Sequence, residues 1–227
     1  ALVASACGAK GDSSATAKSS STSVTDTSGS SDDAAAKFGD LASPCGAGDN
    51  KVKPGEGPAT PGEIAVGIAS DRSSTIRPGL NKEVWDASNA FIKWCNDQGG
   101  IGGLKIRPVD LDGQLLQVQA AMTTACTSVF AMVGGGFSQD DQEFSGQEGS
   151  DFHKCGLIDF PAFAVSVKKG ESNGMVQPLP NPAYSRPTGW IEDFKKVFPA
   201  ESKKNVVVYG DLPSLTAIKA SYDAAVQ

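Results

Sequence analysis

Histidine is all but missing from this 227-residue chain: His153 is the only one. A multi-histidine metal site is thereby excluded, and no spacing among the five cysteines resembles a zinc motif. Basic residues are in deficit, 20 Lys and Arg against 26 Asp and Glu, which leaves a net charge of -6. Without a basic face to neutralise phosphates, nucleic acid is excluded as a partner. The longest apolar stretches are strand-sized, far short of the roughly 20 residues that a bilayer-spanning helix needs.

What is present is an ordinary globular composition, 39% hydrophobic and 20% charged, behind an unusual N-terminal region. Ala1-Leu2-Val3-Ala4-Ser5-Ala6-Cys7-Gly8 is small and apolar up to a cysteine and reads as the tail of a signal peptide. It resembles a bacterial lipobox, with Ala4 where Leu is commoner, and the resemblance implies that Cys7 is lipidated. Residues 8 to about 40 are Ser, Thr, Ala, Asp and Gly with almost no bulky apolar side chain, so they cannot offset the entropy of ordering. An anchor followed by a solvated spacer suits a domain held near a membrane surface. Setting Cys7 aside leaves Cys45, Cys95, Cys126 and Cys155, an even number consistent with two disulfides in an oxidising compartment. Three pairings are open to them.

The chain then divides into 1–7 (signal remnant and lipobox), 8–61 (tether, ending in a Pro- and Gly-rich stretch), 62–177 and 178–227. Glu63 to Ala69 reads as a buried strand opening into Ser70-Asp71-Arg72. Asn81 is positioned to cap a helix running to about Asn96, in which Val84, Trp85, Ser88, Phe91, Ile92 and Cys95 recur at helical spacing. Further strands are expected at Leu104–Leu111, Val129–Val133 and Leu157–Ala164, the last broken by Pro161, with a helix from Gln117 to about Cys126. Strands alternating with helices imply an α/β fold, a parallel sheet with helices on both faces. Met175 to Pro182 is too proline-dense for a helix or central strand and reads as a crossover. A helix at Pro187–Phe198, a strand at Asn205–Tyr209 and a helix from Ser214 open a second α/β lobe. One strand and two helices do not make a sheet, so the chain is expected to stop inside that lobe.

The glycine clusters invite a dinucleotide reading, which their context opposes. Gly99 to Gly103 follows a helix and precedes a strand, the reverse of a phosphate-binding turn, and reads as a helix C-cap. Gly134-Gly135-Gly136 does follow a strand, but no Gly-Lys-Ser/Thr comes after it and Asp140, Asp141 and Glu143 would repel a phosphate. A tight turn exposing Ser138 and backbone amides to another ligand fits better. Asp110 and Asp112 flank Leu111 and read as strand-end carboxylates or a cap rather than a catalytic pair. His153 reads as a surface residue, and Trp85, Trp94 and Trp190 as packing.

From Gly62 onward the residues resemble the type I periplasmic binding proteins of branched-chain amino-acid ABC transporters. The motifs are Asn96-Asp97-Gln98-Gly99-Gly100-Ile101-Gly102-Gly103-Leu104-Lys105-Ile106, Asp110-Leu111-Asp112, the strand Val129 to Gly134, and Gly156 to Ala164. The resemblance implies a solute held at the C-terminal edge of the sheet by the loops after the first, third and fourth strands. Carried over, these are Ser70, Asp71 and Arg72; Gly136, Phe137 and Ser138; and Ala162, Ala164 and Ser166, with Asp211 from the second lobe. Two departures bear on the solute. Ala164 stands where the family usually carries Thr, leaving Ser166 to supply the hydroxyl, and Gly210-Asp211-Leu212-Pro213-Ser214 replaces the usual tyrosine-glycine. The topology of the family also gathers the four cysteines at the opposite, N-terminal edge and implies Cys126–Cys155 and Cys45–Cys95 bridges.

The expected function is capture of a small polar solute, an amino acid or amide-like compound, by an exported lipoprotein that presents it to an ABC transporter permease. No cofactor, metal, nucleic acid or covalent chemistry is implied, and the membrane is reached through the lipid anchor alone. The alternatives are a ligand-sensing receptor component of the same fold and a nucleotide- or flavin-dependent α/β enzyme.

Overall fold

The computed structural model describes residues 37–38, 40–51, 61–142, 154–178, 186 and 188–226. Cys7, the spacer at 8–36, 39 and 52–60, the segment 143–153 with His153, and the crossover at 179–185 lie outside the described residues. A short antiparallel pair, β1 (Lys37–Phe38) and β2 (Leu41–Ala42), precedes the main unit. That unit contains β3 (Glu63–Ser70), α1 (Lys82–Asp97), β4 (Lys105–Asp112), α2 (Val118–Ser128), β5 (Ala131–Val133), β6 (Asp159–Phe160) and a one-turn α3 (Val167–Gly170). Two longer helices follow, α4 (Thr188–Val197) and α5 (Pro213–Val226).

The main sheet is parallel throughout, in the order β4-β3-β5-β6. The chain leaves β3 for β4 on one side and then returns past β3 to reach β5 on the other. Right-handed crossovers in opposite directions put their helices on opposite faces, and this is what α1 and α2 do. Ala69, Leu111, Met122, Val129, Met132 and Phe137 fill the core on the α2 face. Ile68, Ile92, Cys95 and Ile106 fill it on the α1 face, with Cys45 of the preceding segment. Each fully buried large side chain contributes about 1.5–3 kcal/mol of hydrophobic stabilisation.

Local chemistry explains where the elements stop. The amides of Gly99 and Gly100, both at positive φ, bond back to Asn96 and Cys95, which closes α1 as the glycine cluster suggested. Asn96 then brackets Ile106, donating to its carbonyl and accepting from its amide, each at 2.8 Å, so the end of α1 is fastened to β4. Pro161 ends β6 after two residues, a far shorter strand than Leu157–Ala164.

Both disulfides implied by the family topology form, Cys45–Cys95 and Cys126–Cys155, with Cα atoms 5.1 and 5.6 Å apart. Both lie at the N-terminal edge of the sheet. The first staples the pre-sheet segment to α1, where Gly46 and Asn50 also bond to the turn at Gly100–Gly103.

Two expectations are corrected. Asn205–Tyr209 is not a strand: Val206 and Val208 are 85% and 92% exposed and no neighbouring strand pairs with them among the described residues. β propensity without a ladder partner leaves backbone groups to water, so the segment stays irregular. Asn81 does occupy the N-cap position of α1, but it adopts a left-handed backbone and its side chain makes no capping bond. Instead it donates to the Ser138 hydroxyl at 3.1 Å.

Candidate functional site

Because the strands are parallel, the loops that leave them all emerge at one edge. Ser70 ends β3, Gly113 follows β4, Gly134 to Ser138 follow β5, and Pro161 to Ser166 follow β6. The strand order reverses between β3 and β5, and open parallel sheets bind ligands in the crevice outside the strand ends at such a switch point.

Two buried carboxylates organise this rim. Asp71, fully buried, accepts from the amide of Leu115 at 2.8 Å and from that of Ser138 at 2.7 Å. It therefore ties the loop after β3 to those after β4 and β5. Asp140, 1% exposed in the 3-10 turn Asp140–Gln142, accepts from the amides of Val165 and Ser166 at 2.6 and 2.8 Å. It ties the loop after β5 to the loop after β6. Burial pushes the Asp140 carboxyl above its usual range, against the lowering effect of these amides, the Ser166 hydroxyl and the charge of Lys169. Burial also raises Asp141, opposed chiefly by Lys168.

Glycine lets the backbone close up at the rim. A Cβ on Gly135 would strike the backbone of Ala69, and one on Gly113 would lie 2.7 Å from the Phe137 ring. The Ala162 amide donates to Gly135 and the Gly136 amide to Ala69, which locks the glycine turn between neighbouring loops.

The residues singled out from the sequence separate here by what they touch. Ser70 is fully buried, and its Oγ finds no partner among the described residues. Ser138 is half-buried beside Asn81, and Ala162 is exposed. Arg72 is held by its own chain near the surface: its guanidinium pairs with Asp110, lies 3.7 Å from Asp112 and covers Trp85 at 4.7 Å, while its Nε finds no partner among the described residues. Asp112 accepts from the Ser73 and Gln114 amides as well. Phe137 points inward beneath the rim, against Gly113, and is fully buried in the α2-side core. Ser166 accepts from the Lys169 amide to cap α3, and Ala164 is buried at 4% exposure. Asp211 is exposed in the turn before α5.

Sequence reasoning missed Asp140 and Gln139. Gln139 is 2% exposed, and its Oε1, like Asp141 Oδ1, has no partner among the described residues. The only signal was an acidic cluster after a glycine turn, which marks a carboxylate without saying which one faces inward. A separate groove of about 370 Å³ lies between α1 and the sheet, lined by Val66, Ile68, Phe91, Ile106 and Val133. It is apolar and opens on the α1 face. Among the described residues no three acidic, Cys or His side chains gather as a metal site, and no helix is long and apolar enough to cross a membrane.

No protein-family model matches the chain, and no curated protein matches it. Among solved structures, an ABC transporter substrate-binding protein from Desulfitobacterium hafniense is similar at 16% identity with a TM-score of 0.47. The match covers 72% of this chain and 47% of that one, so the chain spans less than half the length of the protein it matches.

Proposed function

We propose that this chain is the ligand-capturing part of an extracytoplasmic solute-binding protein, which holds a small polar solute at the rim between β3 and β5 for delivery to an ABC permease. The observation that carries the reading is the set of unmet polar atoms at the switch point. Ser70 Oγ, Arg72 Nε, Gln139 Oε1 and Asp141 Oδ1 are buried without a partner among the described residues, and such groups cost about 1–3 kcal/mol each when left unmet. A ligand that satisfies them recovers that cost. Two of the four are acceptors only, Arg72 Nε is a donor and Ser70 can act as either, so the ligand both donates and accepts hydrogen bonds, in keeping with an amino acid or an amide.

In this reading Ser138 and Ala162, which reach the surface, line one side of the cleft, with Ser70 and Gly136 buried directly behind them. The segment that holds α4 and α5 belongs to the other side, with Asp211 facing the solute when the lobes close. Asp71, Arg72, Phe137, Ala164 and Ser166 shape that wall from behind. Cys7 carries the lipid that keeps the protein on the outer face of the membrane, and the disulfides suit an exported protein.

The test is a thermal-shift panel of amino acids, amides, urea and short aliphatic acids, repeated on Ser70→Ala and Gln139→Leu variants. A ligand present at about 100 times its dissociation constant stabilises the fold by about 2.7 kcal/mol. Stabilisation of the parent by an amide or amino acid, lost in both variants, is the expected result. A panel in which every compound leaves the melting temperature unchanged would reject the reading.

A further inference from the structure

We propose that Asp140 is a positioning residue of the rim: its buried carboxylate sets the loop Ala162–Ser166 against Ser138 and Gln139 by grasping two successive backbone amides. The inference rests on the solute-binding reading for its purpose, though not for its geometry.

Each oxygen of Asp140 has its own donor, Oδ2 the Val165 amide and Oδ1 the Ser166 amide. Adjacent N–H groups turned toward one point form an anion-binding concavity, and here a side chain of the same protein fills it. The carboxylate also sets the next turn of the chain. Ser166, fixed by its amide, caps α3 through Lys169, and the buried ammonium of Lys169 pairs with the buried Asp159 of β6. One grip thus determines the exit of β6 and the start of α3 together.

Stability alone does not explain a carboxylate at this position. Among the described residues, the charged groups around it are Asp141 on its own turn, Lys168 and Lys169 on α3, and Asp159 on β6. Helix α2, which touches the turn, has no charged residue, and α5, which also touches it, contributes Lys219 and Asp223, paired with each other. Among the described residues, the buried set of Asp140, Asp159 and Lys169 has two carboxylates and one ammonium. Burial disfavours the charged form of Asp140 more than its amide donors favour it, so an uncharged group of the same shape does not by itself cost the fold its stability. Asparagine is that shape, but it offers one acceptor and turns an NH2 toward the second amide. What only the carboxylate supplies is the double grip.

The test compares Asp140→Asn with the parent by residue-resolved amide hydrogen exchange and by chemical denaturation, both without ligand. The expected result is a split. Protection of Val165 and Ser166 falls at least tenfold, while protection of Ala69 and Leu111 and the unfolding midpoint stay level or rise. Equal protection at Val165 and Ser166 in the two proteins would overturn the proposal, as would a loss shared equally with Ala69 and Leu111. If the variant does not fold, the parent answers alone. In an acid titration followed by NMR, the Val165 and Ser166 amide shifts should move with the Asp140 carboxyl carbon through one midpoint, and shifts that ignore that carbon would sink the idea. For function, the panel compound that most stabilises the parent should bind Asp140→Asn at least tenfold more weakly. An unchanged affinity would also reject the proposal. The exchange and titration readouts use no ligand, so a panel without a hit leaves them standing, and their failure leaves the solute-binding reading standing.

Discussion

The carboxylate of Asp71 accepts a hydrogen bond from the backbone amide of Ser138 at 2.7 Å, across 67 residues of chain. Its other oxygen holds the amide of Leu115. A residue that the family resemblance offers to the ligand is thus an internal brace, and three of the four rim loops meet at it.

Replacing Asp71 with Ala should therefore leave two amides unmet and destabilise the fold by roughly 2–5 kcal/mol. Asp71→Asn, which keeps one acceptor, should lose less. Urea unfolding measures both. Equal stability in the Ala variant would mean that the brace is dispensable.

The glycine turn is expected to rank its two members. Gly135→Ala places a Cβ against the backbone of Ala69, which has nowhere to move, and should cost about 2–3 kcal/mol. Gly136→Ala meets the half-buried Phe163 ring at 2.8 Å, and a ring that rotates aside makes the loss smaller. Thermal melting of the two variants gives the order, and the reverse order contradicts this packing.

Asp140 sets a direction for the pH dependence. Its native carboxyl titrates above the ordinary value of 3.8, so over the interval between them the folded chain retains a proton that the unfolded chain has lost. Stability from this group is greatest below that interval and is lost as pH rises through the native value. Measured at about pH 4 and about pH 7, the parent should lose stability relative to Asp140→Asn on going up. A gain relative to the variant would reverse the sign and refute the assignment of burial as the cause.

The two bridges close loops of 50 and 29 residues, for which the chain-entropy account gives about 4 and about 3.5 kcal/mol. Reduction should lower the melting temperature markedly. The variant Cys45→Ser should free the segment before β3 for proteolysis while the β3–β4 core amides stay protected. Cleavage confined to the sheet loops instead would place the weak point elsewhere.

Much of the architecture was legible in the order of residues. Helical spacing from Val84 to Cys95, the apolar run from Glu63 and the glycine turns that follow α1 and β5 are local patterns, and local patterns encode local structure. The same punctuation implied parallel strands and hence a common edge for the loops that leave them, the edge at which Ser70, Ser138 and Ser166 stand. The cysteine pairing followed once the family topology supplied neighbours for the strands.

The division of labour at that edge was not legible. Asp71 finds its partners 44 and 67 residues away, and Asp140 finds its own 25 and 26 away. Nothing in Asp140-Asp141 distinguishes the buried acid from its neighbour, and nothing near Arg72 announces that Asp110, Asp112 and Trp85 will surround it. Asn205–Tyr209 has the composition of a strand, yet a strand exists only beside another one. Composition and spacing thus decided which elements form and which way their loops point. The fold decided which polar groups are satisfied internally and which are buried without a partner among the described residues, because hydrogen-bond partners are chosen by proximity in space, and that arises only when distant segments pack together.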